Sequence, residues 1–421
     1  MRLVHFSDLH LGVDNYGSID PRTGLSNRVA DFLKSLDHIV DDAISTPCDA
    51  VLFSGDAFKN RDPSPTLQRE FARRIVRLAT AGIPIVLLVG NHDLPNVATR
   101  ATPVEIYQVL SIPGVHVCRR ISRVDIPTAS GLLQIVAVPW VTRSMLLTAD
   151  VYRDMSDTEI DREMARLISA AVAELASELD PDSPAVLMAH VSLQGASLGF
   201  EQAIMLGRDV TVGLDDLRSR AFDYVALGHI HKHQQVGVVP PAVYAGSPER
   251  IDFGEEREAK GYVRVDIESS NGSSRSATWT FVELPARRFR TIRVTADGDD
   301  PLARVMSAIA HEAESISDAI VRCFVYVDRG RERSIDSREV RRALLEANAA
   351  HVAHIVIESD TIARGRDELD GARARDSMKM LEHWTEQQDY DEPLRLRVLD
   401  KGRELIQRRT IDRRGREQER G

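Results

Sequence analysis

The sequence has 421 residues, is poor in cysteine and has fewer basic than acidic residues. Its three cysteines, Cys48, Cys118 and Cys323, are too few for a disulfide framework, and no Cys-x-x-Cys pair is present for a thiolate metal site. Lysine and arginine number 54 against 64 acidic residues, which gives a net charge of −10. This balance argues against a surface coated with positive charge for nucleic acid, although it is compatible with a local basic groove.

Long apolar runs are missing as well. The N-terminal segment has a short apolar run that His5 interrupts, whereas a signal peptide needs an apolar core of ~7–15 residues. No stretch approaches the ~20 apolar residues of a membrane span. Together with the scarcity of cysteine, these absences predict a cytoplasmic protein with no membrane association.

The composition that remains is that of an ordinary globular protein, with 43% hydrophobic and 28% charged residues. The length predicts about two to four domains. Residues 1–260 alternate compact Val-, Ile- and Leu-rich runs, typical of strands buried on both faces, with segments of helical periodicity. This alternation predicts an α/β fold for residues 1–260.

The pattern changes near Gly261, where a small α+β unit is predicted for residues 261–358. Its predicted strands are Gly261–Ile267, Thr278–Leu284, Arg290–Val294, Ala319–Val327 and His354–Ile357, and its helices are Pro301–Ser315 and Arg338–Asn348. Residues 359–421 contain no β-rich run, and we expect them to form a helical C-terminal tail.

Five predicted strands of the first part run directly into residues of the types that bind metals. In open α/β sheets, ligands collect beyond the carboxyl ends of the strands, so we expect these side chains to meet. The residues are Asp8 and His10, Asp56, Asn91-His92-Asp93, His190, and His229 with His231.

These residue types suit a pair of divalent metals. Two ions ~3.5–4 Å apart need one shared anionic ligand, and Asp56 is the natural bridge because a carboxylate has two oxygens. Asp8 and His10 are two residues apart, so an extended backbone would point both side chains the same way. His229 and His231 repeat that spacing.

Each of these motifs, taken alone, also has a common interpretation that involves no metal. Asp-x-His and Gly-Asp are common in solvated turns, and His190 alone fits a buried, hydrogen-bonded histidine. Their order, and the position of each one at the end of a predicted strand, favour a metal centre instead. Because the ligand set has nitrogen and oxygen but no sulfur, we expect Mn²⁺, with Fe²⁺ or Zn²⁺ as alternatives.

The motifs Asp8-x-His10, Gly55-Asp56, Gly90–Asp93, His190 and Gly228-His229-x-His231 resemble the calcineurin-like metallophosphoesterase signature, complete and in order. The resemblance covers about residues 1–255 and implies a metallophosphoesterase β-sandwich flanked by helices. Within that family the chain is similar to the nuclease subunits of bacterial double-strand-break repair. That similarity is carried by His5–Gly12, by Tyr244–Arg250 and, by layout alone, by the α+β unit and the tail.

The resemblance also implies roles for individual residues. One metal would be held by Asp8, His10, Asp56 and His231, and the other by Asp56, Asn91, His190 and His229. His92 would not be a ligand but would act beside the scissile phosphate as the catalytic residue. From its position in the sequence, Asp93 either orients the His92 ring or is a simple turn or cap residue.

The function implied is a two-metal-dependent DNA nuclease, with exonuclease and endonuclease activity, in DNA repair or recombination. Residues 261–358 would form a capping domain, and residues 359–421 would bind an SbcC-type coiled-coil ATPase subunit. DNA is the expected partner, which implies association with the nucleoid, and a homodimer is compatible with this class. Two alternatives remain open: a metallophosphoesterase for small phosphodiesters or monoesters, and a non-catalytic scaffold.

Two arginines near the motifs are candidates for contact with DNA phosphate. Arg250 follows the Gly-Ser-Pro-Glu segment, and Arg61 follows the loop of Asp56. For both residues a surface position without a substrate role is the competing interpretation.

Overall fold

The computed structural model describes residues 1–95, 100–143, 155–197, 211–217, 219–270, 274–359, 385 and 394–402. Within these residues the strands, in chain order, are β1 (Arg2–Phe6), β2 (Ala50–Phe53), β3 (Ile85–Leu88), β4 (Val115–Cys118), β5 (Ser122–Thr128), β6 (Gly131–Val138), β7 (Ala185–His190), β8 (Ser192–Leu193), β9 (Thr211–Val212), β10 (Tyr224–Gly228), β11 (Gln234–Val238), β12 (Pro241–Tyr244), β13 (Gly261–Ser270), β14 (Ser274–Glu283), β15 (Arg288–Thr295), β16 (Ala319–Val327) and β17 (His351–Ser359).

The helices begin at residues that suit helix starts. Ser26 and Ser64 cap the first two helices through their side chains, and Ser156 forms a capping box with Glu159 at the fourth. Up to residue 359, the α-helices that the structure describes from end to end are α1 (Asn27–Ser45), α2 (Pro65–Thr80), α3 (Ile106–Val109), α4 (Asp157–Ser177), α5 (Leu214–Leu217), α6 (Pro301–His311), α7 (Ala313–Ile316) and α8 (Ser337–Glu346).

Two six-stranded sheets form the framework of the first part of the chain. The first sheet has the order β14-β13-β1-β2-β3-β4, with β1 to β4 parallel. The second has the order β11-β12-β10-β7-β6-β5, in which β12, β10, β7 and β6 are parallel. The antiparallel strands lie at the sheet edges, as is common in mixed sheets.

The two sheets pack face to face, with helices on their outer faces. One buried cluster joins Leu52 and Val86 of the first sheet to Val186 and Ala226 of the second. Separate clusters pack α1 and α2 against the outer face of the first sheet, and α4 against that of the second. Strands buried on both faces explain the continuous apolar runs in the sequence. The predicted β-sandwich flanked by helices is confirmed.

The hairpin of β13 and β14 belongs to the first sheet. β13 pairs antiparallel with β1, where Leu3 lies opposite Val265. The sequence pattern placed this hairpin with the small α+β unit, but its apolar residues Val263, Val265 and Ile267 complete the core between the sheets. The sheet therefore continues past Gly261.

The chain divides into two compact units. The first comprises residues 1–291, 315–321 and 348–353, and the second comprises residues 292–314, 322–347 and 354–421. Strands β15, β16 and β17 form a three-stranded sheet, and α6 packs with α8 in the second unit. Of the predicted helical tail, residues 394–402 are helical, and most of the remainder lies outside the described residues. No helix in the described ranges is long and apolar enough to cross a membrane.

Candidate metal centre

The predicted ligands converge at the carboxyl ends of strands from both sheets. The loops after β1, β2 and β3 carry Asp8 and His10, Asp56 and Asn91, while β7 ends at His190 and β10 is followed by His229 and His231. Three overlapping groups of side chains, one of which includes the predicted catalytic residue His92, have possible ligand atoms within 4.8 Å of one another. The groups are Asp8, His10 and His231; His10, Asp56 and His92; and Asp8, Asp56 and His190.

Asp56 lies between the two predicted ligand sets. Its Oδ2 atom is 3.6 Å from His10 Nε2 and 3.4 Å from His190 Nε2. On one side, His10 Nε2 is 2.9 Å from His231 Nε2. On the other, Asn91 Oδ1 is 3.0 Å from His190 Nε2 and 3.1 Å from a nitrogen of His229. All the side chains predicted as ligands are thus brought together, with Asp56 between the two predicted sets.

The backbone at this centre is held in an unusual conformation. Asp8, His10, Asp56 and His229 have φ angles of 53°, 46°, 62° and 97°, in the left-handed region that non-glycine residues rarely adopt. Such residues cost roughly 1–3 kcal/mol each and persist where surrounding contacts hold them. Here the amides of Asp8 and His10 donate to the carbonyls of Gly55 and Asp56, at 2.9 and 3.0 Å. The extended backbone expected for Asp8-x-His10 is therefore wrong: a strained turn aims both side chains inward.

Glycines of the motifs make room for these side chains. A Cβ atom on Gly90 would lie 2.1 Å from Asp56 Oδ1, and one on Gly55 would lie 2.4 Å from His190 Nδ1. A Cβ on Gly228 would lie 2.1 Å from the Ser54 carbonyl oxygen. These positions admit no larger residue without moving the centre.

We expect Gly90→Ala to weaken binding of Mn²⁺ by roughly 10–100-fold, the range typical for disturbed supports of metal ligands, because the new methyl group displaces the Asp56 carboxylate. Calorimetric titration of the metal-free protein measures this change. Gly24→Ala is the control: the φ of 69° at Gly24 makes alanine strained there, but the space around its Cβ position is open, so this variant adds backbone strain without a steric clash. Wild-type affinity in Gly90→Ala would contradict the steric argument.

Burial and charge shape the electrostatics of the cluster. Burial acts to raise the pKa of Asp56, but the His190 and His10 rings outweigh it and hold that pKa far below its usual range. Burial raises the pKa of Asp8. At His190 burial acts to lower the pKa, yet Asp56 and then Asp8 raise it to about 9. The buried charge of Asp56 thus favours cations in the centre.

The hydrogen bonds of the histidines test whether metal ions fit. His190 Nδ1 is 2.6 Å from the Ser54 carbonyl, and His231 Nδ1 is 2.8 Å from Glu255 Oε1. Both partners accept hydrogen bonds, so these Nδ1 atoms carry the proton and the Nε2 lone pairs face the cluster. The nitrogen lone pairs of the histidines and the carboxylate oxygens are all electron-rich. Where they face one another, a proton or a metal cation must therefore lie between them. The nitrogen and oxygen donors fit divalent Mn, Fe or Zn.

His92 occupies the exposed rim of the centre. Its amide donates to Asp56 Oδ1 at 2.8 Å, and its Nδ1 lies 2.9 Å from the Lys59 carbonyl oxygen. Its ring meets the His10 ring edge to face, with centroids 4.7 Å apart. Because the Lys59 carbonyl accepts a hydrogen bond, the Nδ1 atom of His92 carries a proton.

Asp93 has a different task from the one predicted. Its carboxylate accepts hydrogen bonds from the amides of Gly90, Asp56 and Ala57, at 3.1, 3.0 and 3.0 Å. The His92 ring is oriented by the Lys59 carbonyl instead, so the predicted ring-orienting role of Asp93 is corrected. The buried carboxylate ties the loop after β3 to the loop after β2, and burial followed by the Asp56 charge raises its pKa to about 6.

The two predicted phosphate contacts lie in different settings. Arg61 is exposed in the loop between β2 and α2, two residues after Lys59. Arg250 is half-buried, and its guanidinium donates to the carbonyls of Ala286, Arg287 and Glu258, at 3.4, 3.1 and 2.7 Å. Nitrogens that already serve backbone carbonyls are poorly placed for DNA, so this arrangement does not support the predicted phosphate contact of Arg250.

Two supporting residues had no signal in the sequence. Glu255 contacts a predicted ligand, His231, and Lys260 contacts Glu255 with Nζ to Oε2 at 2.9 Å. Glu255 stands among other acidic residues in Glu255-Glu256-Arg257-Glu258, and no spacing distinguishes it. Its position shortly after the Tyr244–Arg250 motif was the nearest available indication.

Residues 1–233 match the calcineurin-like phosphoesterase family. The chain belongs to this family and is a metal-dependent phosphodiesterase. Members of the family use a divalent metal pair, and the cluster around Asp56 is the candidate site for it. The family predicted from the strand-end motifs is confirmed.

The relatives of the chain include nucleases. It is 30% identical over 288 residues to the SbcD subunit of the SbcCD nuclease of Bacillus subtilis, covering 68% of this chain and 70% of that protein. The SbcD subunit from Escherichia coli K12 is 29% identical over 287 residues, 66% and 67% of the two chains. The DNA double-strand break repair protein Mre11 of Sulfurisphaera tokodaii is 27% identical over 274 residues, 63% and 59%. The predicted resemblance to double-strand-break repair nucleases is confirmed.

Proposed function

We propose that this chain is a two-metal-dependent DNA nuclease that acts in DNA repair or recombination. The observation that carries the proposal is the convergence of the predicted ligands on Asp56, with His92 at the exposed rim. Relatives named as nucleases and as a double-strand-break repair protein supply the substrate class. Both exonuclease and endonuclease cleavage belong to the proposal.

The residues divide the work of phosphodiester hydrolysis. Asp8, His10, Asp56 and His231 would hold one divalent ion, and Asp56, Asn91, His190 and His229 the other. When bound, the ions supply activation of a water nucleophile and neutralisation of phosphate charge. We propose Mn²⁺ as the preferred ion.

His92 is proposed to act on the leaving group. Its Nδ1 proton is held by the Lys59 carbonyl and its amide by Asp56 Oδ1, so the ring is oriented before substrate arrives. From the rim, the doubly protonated ring can donate its Nε2 proton to the departing sugar oxygen, leaving the neutral ring with its proton on Nδ1, or it can stabilise the charge that forms there. This division leaves the buried side chains to bind metal and the exposed ring to contact substrate.

Attraction of DNA must be local, because the chain carries a net charge of −10. Arg61 is exposed near Lys59, whose carbonyl holds His92. We therefore propose Arg61 as a phosphate contact beside the cleavage site. The bound metal ions would add positive charge at the same place.

The finer features of the assembly also belong to the proposal. Of the predicted capping domain, residues 261–358, the part that follows the β13–β14 hairpin is proposed to act as the cap, and residues 359–421 are proposed to bind an SbcC-type coiled-coil ATPase subunit. A homodimer would cover the exposed apolar side chains of Ile106, Val109 and Leu110, which are 49%, 82% and 62% accessible. The proposed location is the cytoplasm, at the nucleoid when the protein is on DNA.

Cleavage of linear duplex DNA tests the proposal. We expect hydrolysis that requires Mn²⁺, that stops with a chelator, and that extends to bis-p-nitrophenyl phosphate but is far weaker on p-nitrophenyl phosphate. Activity confined to the monoester would favour a phosphoesterase for small substrates. Tight binding of two metal ions with no hydrolysis of any of these esters would favour a non-catalytic scaffold.

A further inference from the structure

A buried polar network lies behind His231, on the side of the ring that faces away from the metal centre. His231 Nδ1 donates to Glu255 Oε1 at 2.8 Å. The other carboxylate oxygen, Oε2, accepts from Lys260 Nζ and from the Ile251 amide, both at 2.9 Å. The side chains of Lys260 and Glu255 are 0% and 3% exposed, so this ion pair is removed from solvent.

Lys260 is fully engaged in holding this network. Besides Glu255, its Nζ atom bonds Ser247 Oγ and Glu258 Oε2, both at 2.9 Å, and the His231 carbonyl oxygen at 3.3 Å. The Ser247 amide also donates to the His231 carbonyl, at 3.0 Å. One buried lysine therefore fixes the backbone of His231 and the carboxylate that holds its ring.

The consequence for His231 is a fixed tautomer and a fixed direction. A carboxylate accepts hydrogen bonds and does not donate them, so the proton stays on Nδ1 and the Nε2 lone pair points at the centre. A carboxylate with this contact also makes the ring a better metal ligand. Burying a charged Lys–Glu pair costs much solvation free energy, which many hydrogen bonds and ionic contacts must offset. Here those contacts surround one predicted ligand, His231.

We propose that Glu255 and Lys260 are positioning residues for the metal ion held by Asp8, His10, Asp56 and His231. This inference rests on the proposed pair of metal ions. It gives a role to the residues that follow the Tyr244–Arg250 motif, and Ser247 of that motif takes part in the same network.

A second buried carboxylate in the same region provides the comparison. Glu249 is 1% exposed and accepts from the amides of Arg250 and Arg287, both at 2.9 Å. It also accepts from Ser35 Oγ at 3.4 Å and lies 3.8 Å from Arg28 Nη1. None of these partners belongs to the predicted ligand set. Glu249→Gln therefore removes a buried carboxylate charge without touching His231.

The test is a calorimetric titration of the metal-free protein with MnCl₂ alone, which measures the number of bound ions and their affinities. The wild type should bind two ions. We expect Glu255→Gln to weaken one of them by roughly 10–100-fold and to leave the other unchanged, because the amide group of glutamine can donate to Nδ1 and move the ring proton to Nε2. Glu249→Gln should keep both affinities even if its melting temperature falls.

A double-mutant comparison shows which ion is affected. His231→Ala removes the ligand itself, so adding Glu255→Gln to that variant should cause no further change in the remaining ion. Glu255→Asp, which keeps the carboxylate, should restore part of the lost affinity. If Glu255→Gln does not fold, Lys260→Met decides in its place by the same two-ion measurement.

The same measurements distinguish a failure of the proposed metal pair from a failure of the positioning role. A wild-type protein that binds fewer than two ions would contradict the proposed metal pair. A wild type with two ions and a Glu255→Gln variant with both affinities intact would overturn the positioning role alone. An equal loss in Glu249→Gln would also overturn it, since general damage to the buried loop would then explain the effect.

Discussion

Replacement of Asp56 by alanine is expected to abolish binding of both metal ions and to reduce phosphodiester hydrolysis by more than about 10³-fold. Its Oδ2 atom lies within 3.6 Å of His10 Nε2 and 3.4 Å of His190 Nε2, one from each predicted ligand set. Metal stabilisation of transition-state charge is worth several kcal/mol, and about 1.4 kcal/mol corresponds to a factor of ten in rate. Metal analysis after dialysis and rates on bis-p-nitrophenyl phosphate measure the two effects.

Two companion variants sharpen the Asp56 result. Asp56→Asn keeps the shape and can keep the hydrogen bond from the His92 amide, so a similar loss would assign the effect to the carboxylate charge. Asp125→Ala removes an exposed carboxylate paired with Arg123 and should leave both quantities unchanged. Retention of two tightly bound ions by Asp56→Ala would show that Asp56 is not the bridge.

The sheets and the position of the centre were predictable because local patterns determine them. Apolar runs such as Ala50–Phe53 are strands because they are buried on both faces, and Asp56 follows that strand within three residues. Parallel strands then bring successive carboxyl ends to one edge. The hairpin after Gly261 was placed in the wrong unit because strand partners are chosen by tertiary packing, which β13 satisfies against β1, more than 250 residues away in the sequence.

The ligand types of the centre could be predicted from sequence, but their supports could not. Asp93 was expected to hold the His92 ring, yet it bonds amides across two loops, and the Lys59 carbonyl holds the ring. A backbone carbonyl has no sequence signature, because every residue has one. Arg250 illustrates the same limit, since its side chain bonds carbonyls that folding brings to it from Glu258 and the segment after β14.

The strain at the centre links these observations. Asp8, His10, Asp56 and His229 hold left-handed backbone conformations that local sequence preference opposes. They are stabilised by long-range contacts, such as the His229 amide on Asp8 Oδ1 at 3.0 Å. In a centre assembled from strained turns on two packed sheets, the ligand side chains are placed by the fold itself, and close positioning of a phosphate requires groups held in this way.

His92→Ala is expected to keep two metal ions per chain while lowering the rate of DNA cleavage by about 10²–10⁴-fold, the usual range for loss of a general acid. The ring is exposed, and the hydrogen bond of His92 to Asp56 comes from the backbone amide, which alanine retains. His311→Ala, which removes an exposed histidine at the end of α6, is the matched control and should have the wild-type rate. Loss of metal from His92→Ala would instead place this histidine among the ligands.

The leaving group separates proton donation by His92 from simple positioning. The sugar oxygen of DNA departs as a poor leaving group and gains from a proton, whereas p-nitrophenolate is a stable anion that departs without one. If Nε2 donates a proton, His92→Ala should therefore slow cleavage of DNA far more than cleavage of bis-p-nitrophenyl phosphate at the same Mn²⁺ concentration. Equal losses on both esters would mean that the ring stabilises charge on the phosphate and does not protonate the leaving oxygen. Unchanged turnover on both esters would show that the His92 ring takes no part in the reaction.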